Sequence, residues 1–138
     1  MWFGKRKKKK TNKVQWEKAS DIQLLLEDIV EKIGFTHVNH KDVFCFRSYH
    51  STSRARARIW SFPRIWQLAL GRPACYVIEV LSQHFDHLNA DDKKRVLIHE
   101  LLHIPKNFSG SLVPHRTRHS RIDARSVERL FDKLKDGR

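Results

Sequence analysis

The segment VLIHELLHIP, residues 96–105, constrains the fold most strongly, because it places two histidines and a glutamate in an otherwise apolar run. Leucine and isoleucine cover the flanks of the helix that this run predicts, so the helix must be buried against other elements. At about 100° per residue, His99 and His103 lie one turn apart on the same face. Glu100 is turned toward the same side. The pattern therefore predicts a buried helix whose one polar face lines a cleft.

Residues on both sides of this segment indicate where the helix begins and ends. Asn89 is a favourable N-cap residue, and Asp91 and Asp92 follow in the first turn, where carboxylates interact well with the helix dipole. Pro105 cannot continue a helix. We therefore predict a helix over residues 90–104.

The rest of the chain predicts short elements of both kinds around this helix. Helices are predicted at residues 21–33, 64–70 and 121–135, and strands at residues 42–48, 54–60 and 75–82. Gly34 and Gly71 can end the first two of these helices. We predict a single α+β domain in which a short β-sheet packs on the 90–104 helix, with further helices at the N- and C-terminal ends.

The spacing of the two histidines suits a metal ion. Imidazoles four residues apart on a helix can both reach one Zn²⁺ at about 2.0–2.1 Å. Glu100 is badly placed to be a ligand but well placed to take a proton from a water at the metal. The extended motif with a third histidine six residues on is absent, because Lys106 and Ser109 occupy its positions. The alternative is that both histidines are core residues bonded to backbone carbonyls.

A zinc hydrolase needs a third protein ligand, and four downstream residues could supply it: His115, His119, Asp123 and Glu128. Asp123 falls on the apolar stripe of the last predicted helix, so we expect it to be buried and to support a histidine ligand. Glu128 lies beside that stripe, as a solvated carboxylate does. His119 stands among arginines, a poor setting for a dication. His115 follows Pro114 in a returning loop, and spacing favours it only modestly.

Three arginines alternate along the predicted strand 54–60 and would share one face: Arg54, Arg56 and Arg58. Such a row could bind a substrate carboxylate or phosphate through paired hydrogen bonds, or it could be a solvated face. The segment YVIEVL, residues 76–81, is expected to lie beside the 90–104 helix, with an edge on which an extended peptide could pair. Trp60 and Trp66 are expected in the core.

The net charge of +13 is concentrated at the N-terminus, where residues 1–13 carry seven lysines and arginines and no acid. We predict a disordered basic tail over residues 1–18 and a folded domain over residues 19–138. The tail could hold nucleic acid non-specifically through phosphates, could contact anionic lipid, or could only aid solubility. A nucleic-acid-associated protein, either a DNA-tethered protease or a non-catalytic zinc-binding module, is therefore the alternative function.

The cysteine content and hydropathy bear on localisation. Cys45 and Cys75 both lie in strand-like apolar segments, which favours two buried free thiols over a disulfide. No apolar run reaches the roughly 18 residues that a membrane span needs, and no secretory signal follows the basic start. We expect a cytoplasmic protein.

The stretch VLIHELLHIPKNFSGSLVPH, residues 96–115, together with residues 46–88, resembles a family of zinc metallopeptidases found in phage, archaeal and bacterial genomes. The resemblance covers residues 20–135 and is carried by the HELLHIP…G…PH motif. It implies a zincin-like fold, one Zn²⁺, and peptide or protein substrates. By this resemblance His99 and His103 are ligands, Glu100 is the general base, and His115 is the third ligand. We therefore predict a zinc-dependent metallopeptidase.

Overall fold

The computed structural model describes residues 13–136, which form four strands and five α-helices. The strands are β1 (Gln15–Lys18), β2 (Val43–Tyr49), β3 (Ala57–Trp60) and β4 (Tyr76–Leu81). The helices are α1 (Ser20–Ile33), α2 (Arg64–Leu70), α3 (Ser82–Phe85), α4 (Ala90–Leu102) and α5 (Ala124–Asp136). A 3₁₀ turn, His40–Asp42, precedes β2. The predicted α+β class is confirmed.

The four strands form one mixed sheet in the order β1-β2-β4-β3. β2 and β4 are parallel, and the two outer strands pair antiparallel to their neighbours. β4 therefore lies inside the sheet and is almost wholly buried. The expectation that residues 76–81 offer an open edge is wrong, because β3 pairs along that side of β4. Within the described residues, β3 is the edge strand that contacts α4.

Helix α4 begins where its flanking residues predict. The side chain of Asn89 accepts a hydrogen bond from the backbone N–H of Asp92, which caps the first turn. Leu97, Ile98 and Leu101 are fully buried in the core that α4 shares with the sheet, α1 and α5. The α-helix ends at Leu102, two residues earlier than predicted. This core fixes α4 against β3 and leaves its polar face toward a cleft.

The folded part of the chain begins within the residues predicted as tail. Gln15–Lys18 form β1, which pairs with residues 46–49 of β2, and the Tyr49 hydroxyl donates to the Glu17 carboxylate. All four residues of β1 are exposed, so the sequence has no apolar alternation there that would predict a strand. Residues 1–12 of the predicted basic tail lie outside the described residues.

Both cysteines are buried free thiols, as predicted. Burial raises the pKa of the Cys45 thiol to about 12, so this group stays protonated near neutral pH. Among residues 13–136, no helix combines the length and apolar character that crossing a bilayer requires. The cytoplasmic location stays a prediction.

The loop after α4 folds back onto the helix and is fixed at Gly110. Its backbone N–H donates to the Tyr76 hydroxyl, and its carbonyl accepts from the backbone N–H of Phe62. Gly110 has φ of +93°, and a Cβ there would lie 2.2 Å from the Phe62 carbonyl oxygen and 2.6 Å from Gln67 Nε2. The loop therefore needs a glycine for its conformation and for its close contact.

The substitution Gly110→Ala should destabilise the fold by about 3 kcal/mol, since it adds a steric overlap to a left-handed backbone conformation. Gly71→Ala is the matched control, because Gly71 has φ of +61° with nothing within 4 Å of the added Cβ. We expect that control to cost about 1 kcal/mol, from conformation alone. Urea-induced unfolding measures both. Equal losses would mean that the contact with Phe62 adjusts freely.

Candidate metal centre

Three histidines converge at the C-terminal end of α4. His99 lies in the last turn of the helix, His103 is its C-cap, and His115 comes from the returning loop. Their ligand atoms all lie within 4.8 Å of one another, and the Nε2 atoms of His99 and His115 are 3.1 Å apart. The three ring centroids are separated by 4.5 to 5.2 Å. Three nitrogen donors thus face one small volume.

This arrangement fits a tetrahedral zinc ion. Zinc bonds to imidazole of about 2.0–2.1 Å at tetrahedral angles place two ligand nitrogens about 3.3 Å apart. The 3.1 Å between Nε2 of His99 and Nε2 of His115 is close to that value. The other ligand atoms lie within 4.8 Å, so small side-chain rotations would bring all three to the tetrahedral spacing. His103 is buried whereas His115 is exposed, so the cluster opens to solvent on one side. Within the described residues the set has three protein donors, as a catalytic zinc site does.

Hydrogen bonds with the backbone hold two members of the cluster, His103 and His115. Nδ1 of His103 contacts the carbonyl oxygen of Val113, and the backbone N–H of Val113 donates to the His103 carbonyl. A carbonyl only accepts, so Nδ1 carries the proton and Nε2 presents its lone pair. The carbonyl of His115 accepts from the backbone N–H of Ile122, 2.7 Å away. The fold therefore orients the His103 imidazole and fixes the backbone at His115 before any ion binds.

The histidines at the end of α4 are held in the neutral form that binds metals. Burial lowers the pKa of His99, and the neighbouring His103 and His115 lower it further. Burial is also the main cause that lowers the pKa of His103. Neutral imidazoles have the free lone pair that coordination requires.

Glu100 lies next to the cluster and has no bonding partner for one oxygen. Its side chain is buried, and Oε2 makes no hydrogen bond within the described residues. Burial raises the pKa of the Glu100 carboxyl to about 8. With His99 and Arg56, it lines an open cleft of about 410 Å³. An unpaired buried carboxylate oxygen at a cleft is a site where a water or a substrate group can bind.

Three residues considered as ligands lie outside the cluster, and the expectation that Asp123 is buried is wrong. Asp123 is exposed, and its carboxylate accepts a hydrogen bond from the backbone N–H of Ser126 at the start of α5. That N–H bond lowers the pKa of Asp123, against a smaller effect of desolvation. His119 is exposed in the turn that follows His115. Glu128 is exposed and paired with Arg95 on the wall of the cleft.

The arginine row does not form a single face, because β3 begins only at Ala57. Arg54 and Arg56 precede the strand, and only Arg56 lines the cleft beside His99. Arg58 lies in β3 and bonds to both carboxylate oxygens of Glu79.

Glu79 is a fully buried residue with no role predicted from the sequence. Burial alone would raise the pKa of Glu79, but the bonds from Arg58 and Trp60 help to outweigh it, and the pKa is lowered. The Trp60 indole N–H donates to Glu79 from a half-exposed ring. The expectation that Trp60 and Trp66 are core residues is wrong, since both are exposed. An acid within YVIEVL, opposite Arg58 in the neighbouring strand, was the available signal for this pair.

An α+β fold with three converging imidazoles beside a buried glutamate defines a candidate metalloprotein with a hydrolytic site. A family model named "Putative phage metallopeptidase" matches residues 14–135, so the chain belongs to that family. This confirms the resemblance seen in the sequence and agrees with a zincin-like fold. No curated protein and no solved structure matches the chain. The family implies peptide or protein substrates.

Proposed function

We propose that the protein is a zinc-dependent peptidase in which His99, His103 and His115 bind the metal and Glu100 is the general base. The observation that carries this proposal is that His99, a member of the three-histidine cluster, lines the same cleft as Glu100, whose Oε2 has no hydrogen-bond partner within the described residues. A cluster without a base could serve as a structural site. The two together, at one open cleft, provide what hydrolysis requires.

The chemistry divides between the ion and the protein. Zinc held by His99, His103 and His115 would supply Lewis-acid chemistry, by which a carbonyl is polarised and water is made more acidic. Glu100 takes a proton from the attacking water and then passes it to the leaving amine. His103 is kept in one tautomer by the Val113 carbonyl, so its Nε2 would be free to bind the metal.

The substrate would approach along the edge of the sheet. β3 pairs with β4 on one side only, and Arg56 and Ala57, at the start of β3, line the cleft together with His99 and Glu100. An extended peptide could add to this edge through backbone hydrogen bonds. Of the three predicted arginines, Arg56 is the one placed to contact a substrate carboxylate in the cleft.

The alternative, a non-catalytic zinc module associated with nucleic acid, has less support from this site. A structural zinc site is closed by four protein ligands. Among residues 13–136, three candidate ligands converge, and one of them, His99, also lines the cleft. Binding of nucleic acid by the basic tail stays a prediction, because residues 1–12 lie outside the described part of the chain.

Purified protein should contain about one Zn²⁺ per chain, and His99→Ala or His103→Ala should lose most of it. Each substitution removes one of three neutral nitrogen donors, and two donors hold zinc far more weakly. Elemental mass spectrometry after dialysis measures the content. His87→Ala is the control, since His87 is exposed and outside the cluster. Full zinc content in both cluster variants would refute the metal site.

Hydrolysis should depend on the same metal. Treatment with a chelator should abolish cleavage of an unstructured protein substrate such as casein, and added Zn²⁺ should restore it. Cleavage that persists in protein shown to be free of metal would rule out the proposed mechanism.

A further inference from the structure

Helix α2 has the reverse of the usual arrangement of polar and apolar side chains. Its four large apolar residues are between 56% and 69% exposed, and we call them the apolar face of α2: Ile65, Trp66, Leu68 and Leu70. Its only buried residue is polar, Gln67, at 6% exposure. Single exposed apolar residues are common, but four in one short helix form a patch that marks an interaction surface.

Hydrogen bonds from the buried residue fix this orientation. Nε2 of Gln67 donates to the carbonyl oxygens of Phe62, at 2.9 Å, and Ser109, at 2.8 Å. Gly71 then ends the helix in a left-handed conformation. Rotating α2 to bury its leucines would leave these carbonyls and the Gln67 amide unpaired. The apolar face is therefore held outward by the fold.

The sequence around the apolar face is rich in arginine. Residues 51–78 contain five arginines and no aspartate or glutamate. Arg58 and Arg72 are paired with Glu79 and Asp42 from outside this segment. Arg64 lies at the start of α2 itself and is exposed. The whole chain carries a net charge of +13. The exposed Arg64 and the net positive charge therefore favour an occupant that is partly apolar and negatively charged.

We propose that the apolar face of α2 docks on an anionic lipid bilayer. Helices that lie in the bilayer interface present tryptophan and leucine to the lipid, with arginine and lysine at the level of the headgroups. Arg64 can contact lipid phosphates beside the inserted side chains. A second copy of the chain fits poorly, because it would bring the same arginine-rich segment against itself. This docking does not depend on the metal site.

Co-sedimentation of the full-length protein with vesicles tests the proposal. The vesicles contain equal parts of phosphatidylglycerol and phosphatidylcholine, or phosphatidylcholine alone. Binding is measured at low salt and at about 0.5 M NaCl, where purely electrostatic attraction by basic residues is screened. The test variant is Leu68→Ser with Leu70→Ser, whose side chains lie outside the core. The control is Leu24→Ser, because Leu24 is 68% exposed but lies on α1.

The wild type and the Leu24→Ser control should bind anionic vesicles more tightly than neutral ones and should keep part of that binding at high salt. The double variant should lose the salt-resistant part, with an affinity at least about tenfold lower. Equal binding of the double variant and the wild type at high salt would overturn the proposal. So would a wild-type dimer in sedimentation equilibrium that the double variant abolishes without any vesicle binding, which would indicate a second copy as the occupant.

Discussion

Glu100→Gln should lower the rate of peptide hydrolysis by roughly 10²–10⁴-fold, the usual contribution of a general base, while zinc content stays at the wild-type value. Glutamine has nearly the same shape as glutamate but cannot accept and return a proton at catalysis. It leaves His99, His103 and His115 unchanged, so the metal should remain. Because burial penalises the charge of Glu100, the neutral side chain should also leave the zinc-free protein at least as stable.

The measurements are the turnover number on a peptide substrate, elemental analysis and thermal unfolding after zinc removal. Glu128→Gln is the matched control, since Glu128 lines the same cleft but is exposed and paired with Arg95. We expect near wild-type turnover in that variant. Loss of zinc from Glu100→Gln would mean that Glu100 is a ligand. Normal hydrolysis by that variant would mean that another group is the base.

Elements with strong local signals were predictable from the sequence. The start of α4 follows from Asn89 and the acids after it, and α2 has its predicted bounds because Pro63 and Gly71 flank it. β1 is exposed along its whole length, so it lacks the alternation that predicts a strand. The order of the strands depends on contacts between distant parts of the chain. For that reason the sequence predicted β4 but not that β3 covers its edge.

In the candidate site too, residues close together in the sequence were predictable from their spacing, and residues from distant segments were not. His99, Glu100 and His103 lie within one helical turn, so their spacing alone brought them together in the prediction. His115 was selected by family resemblance, and the structure brings it to the other two, while its role as ligand stays a prediction. The prediction that Asp123 is buried was wrong, because it assumed a helix that begins at residue 121. The helix begins at Ala124, so helical periodicity does not apply to Asp123, which bonds to Ser126 instead.

His115→Ala should lower zinc affinity by at least about 100-fold, more than the loss of a residue that only supports a ligand. His119→Ala and Asp123→Asn should stay near wild type. His119 is the closest matched control, because it is a second exposed histidine in the same segment but lies outside the cluster. Asparagine at position 123 can still accept the hydrogen bond from Ser126, so α5 should keep its start.

The geometry of the loop after α4 is the physical reason for expecting His115, and not His119 or Asp123, to bind zinc. Gly110 and the reciprocal bonds between His103 and Val113 bring the chain back beside α4, and Ile122 then holds the His115 carbonyl. A competition titration with a chromophoric zinc chelator compares the three variants, and circular dichroism checks that each is folded. If His119→Ala or Asp123→Asn loses the metal while His115→Ala keeps it, the third ligand is misassigned. The loop would then have to rearrange on binding zinc, since neither of those side chains reaches the cluster in the present fold.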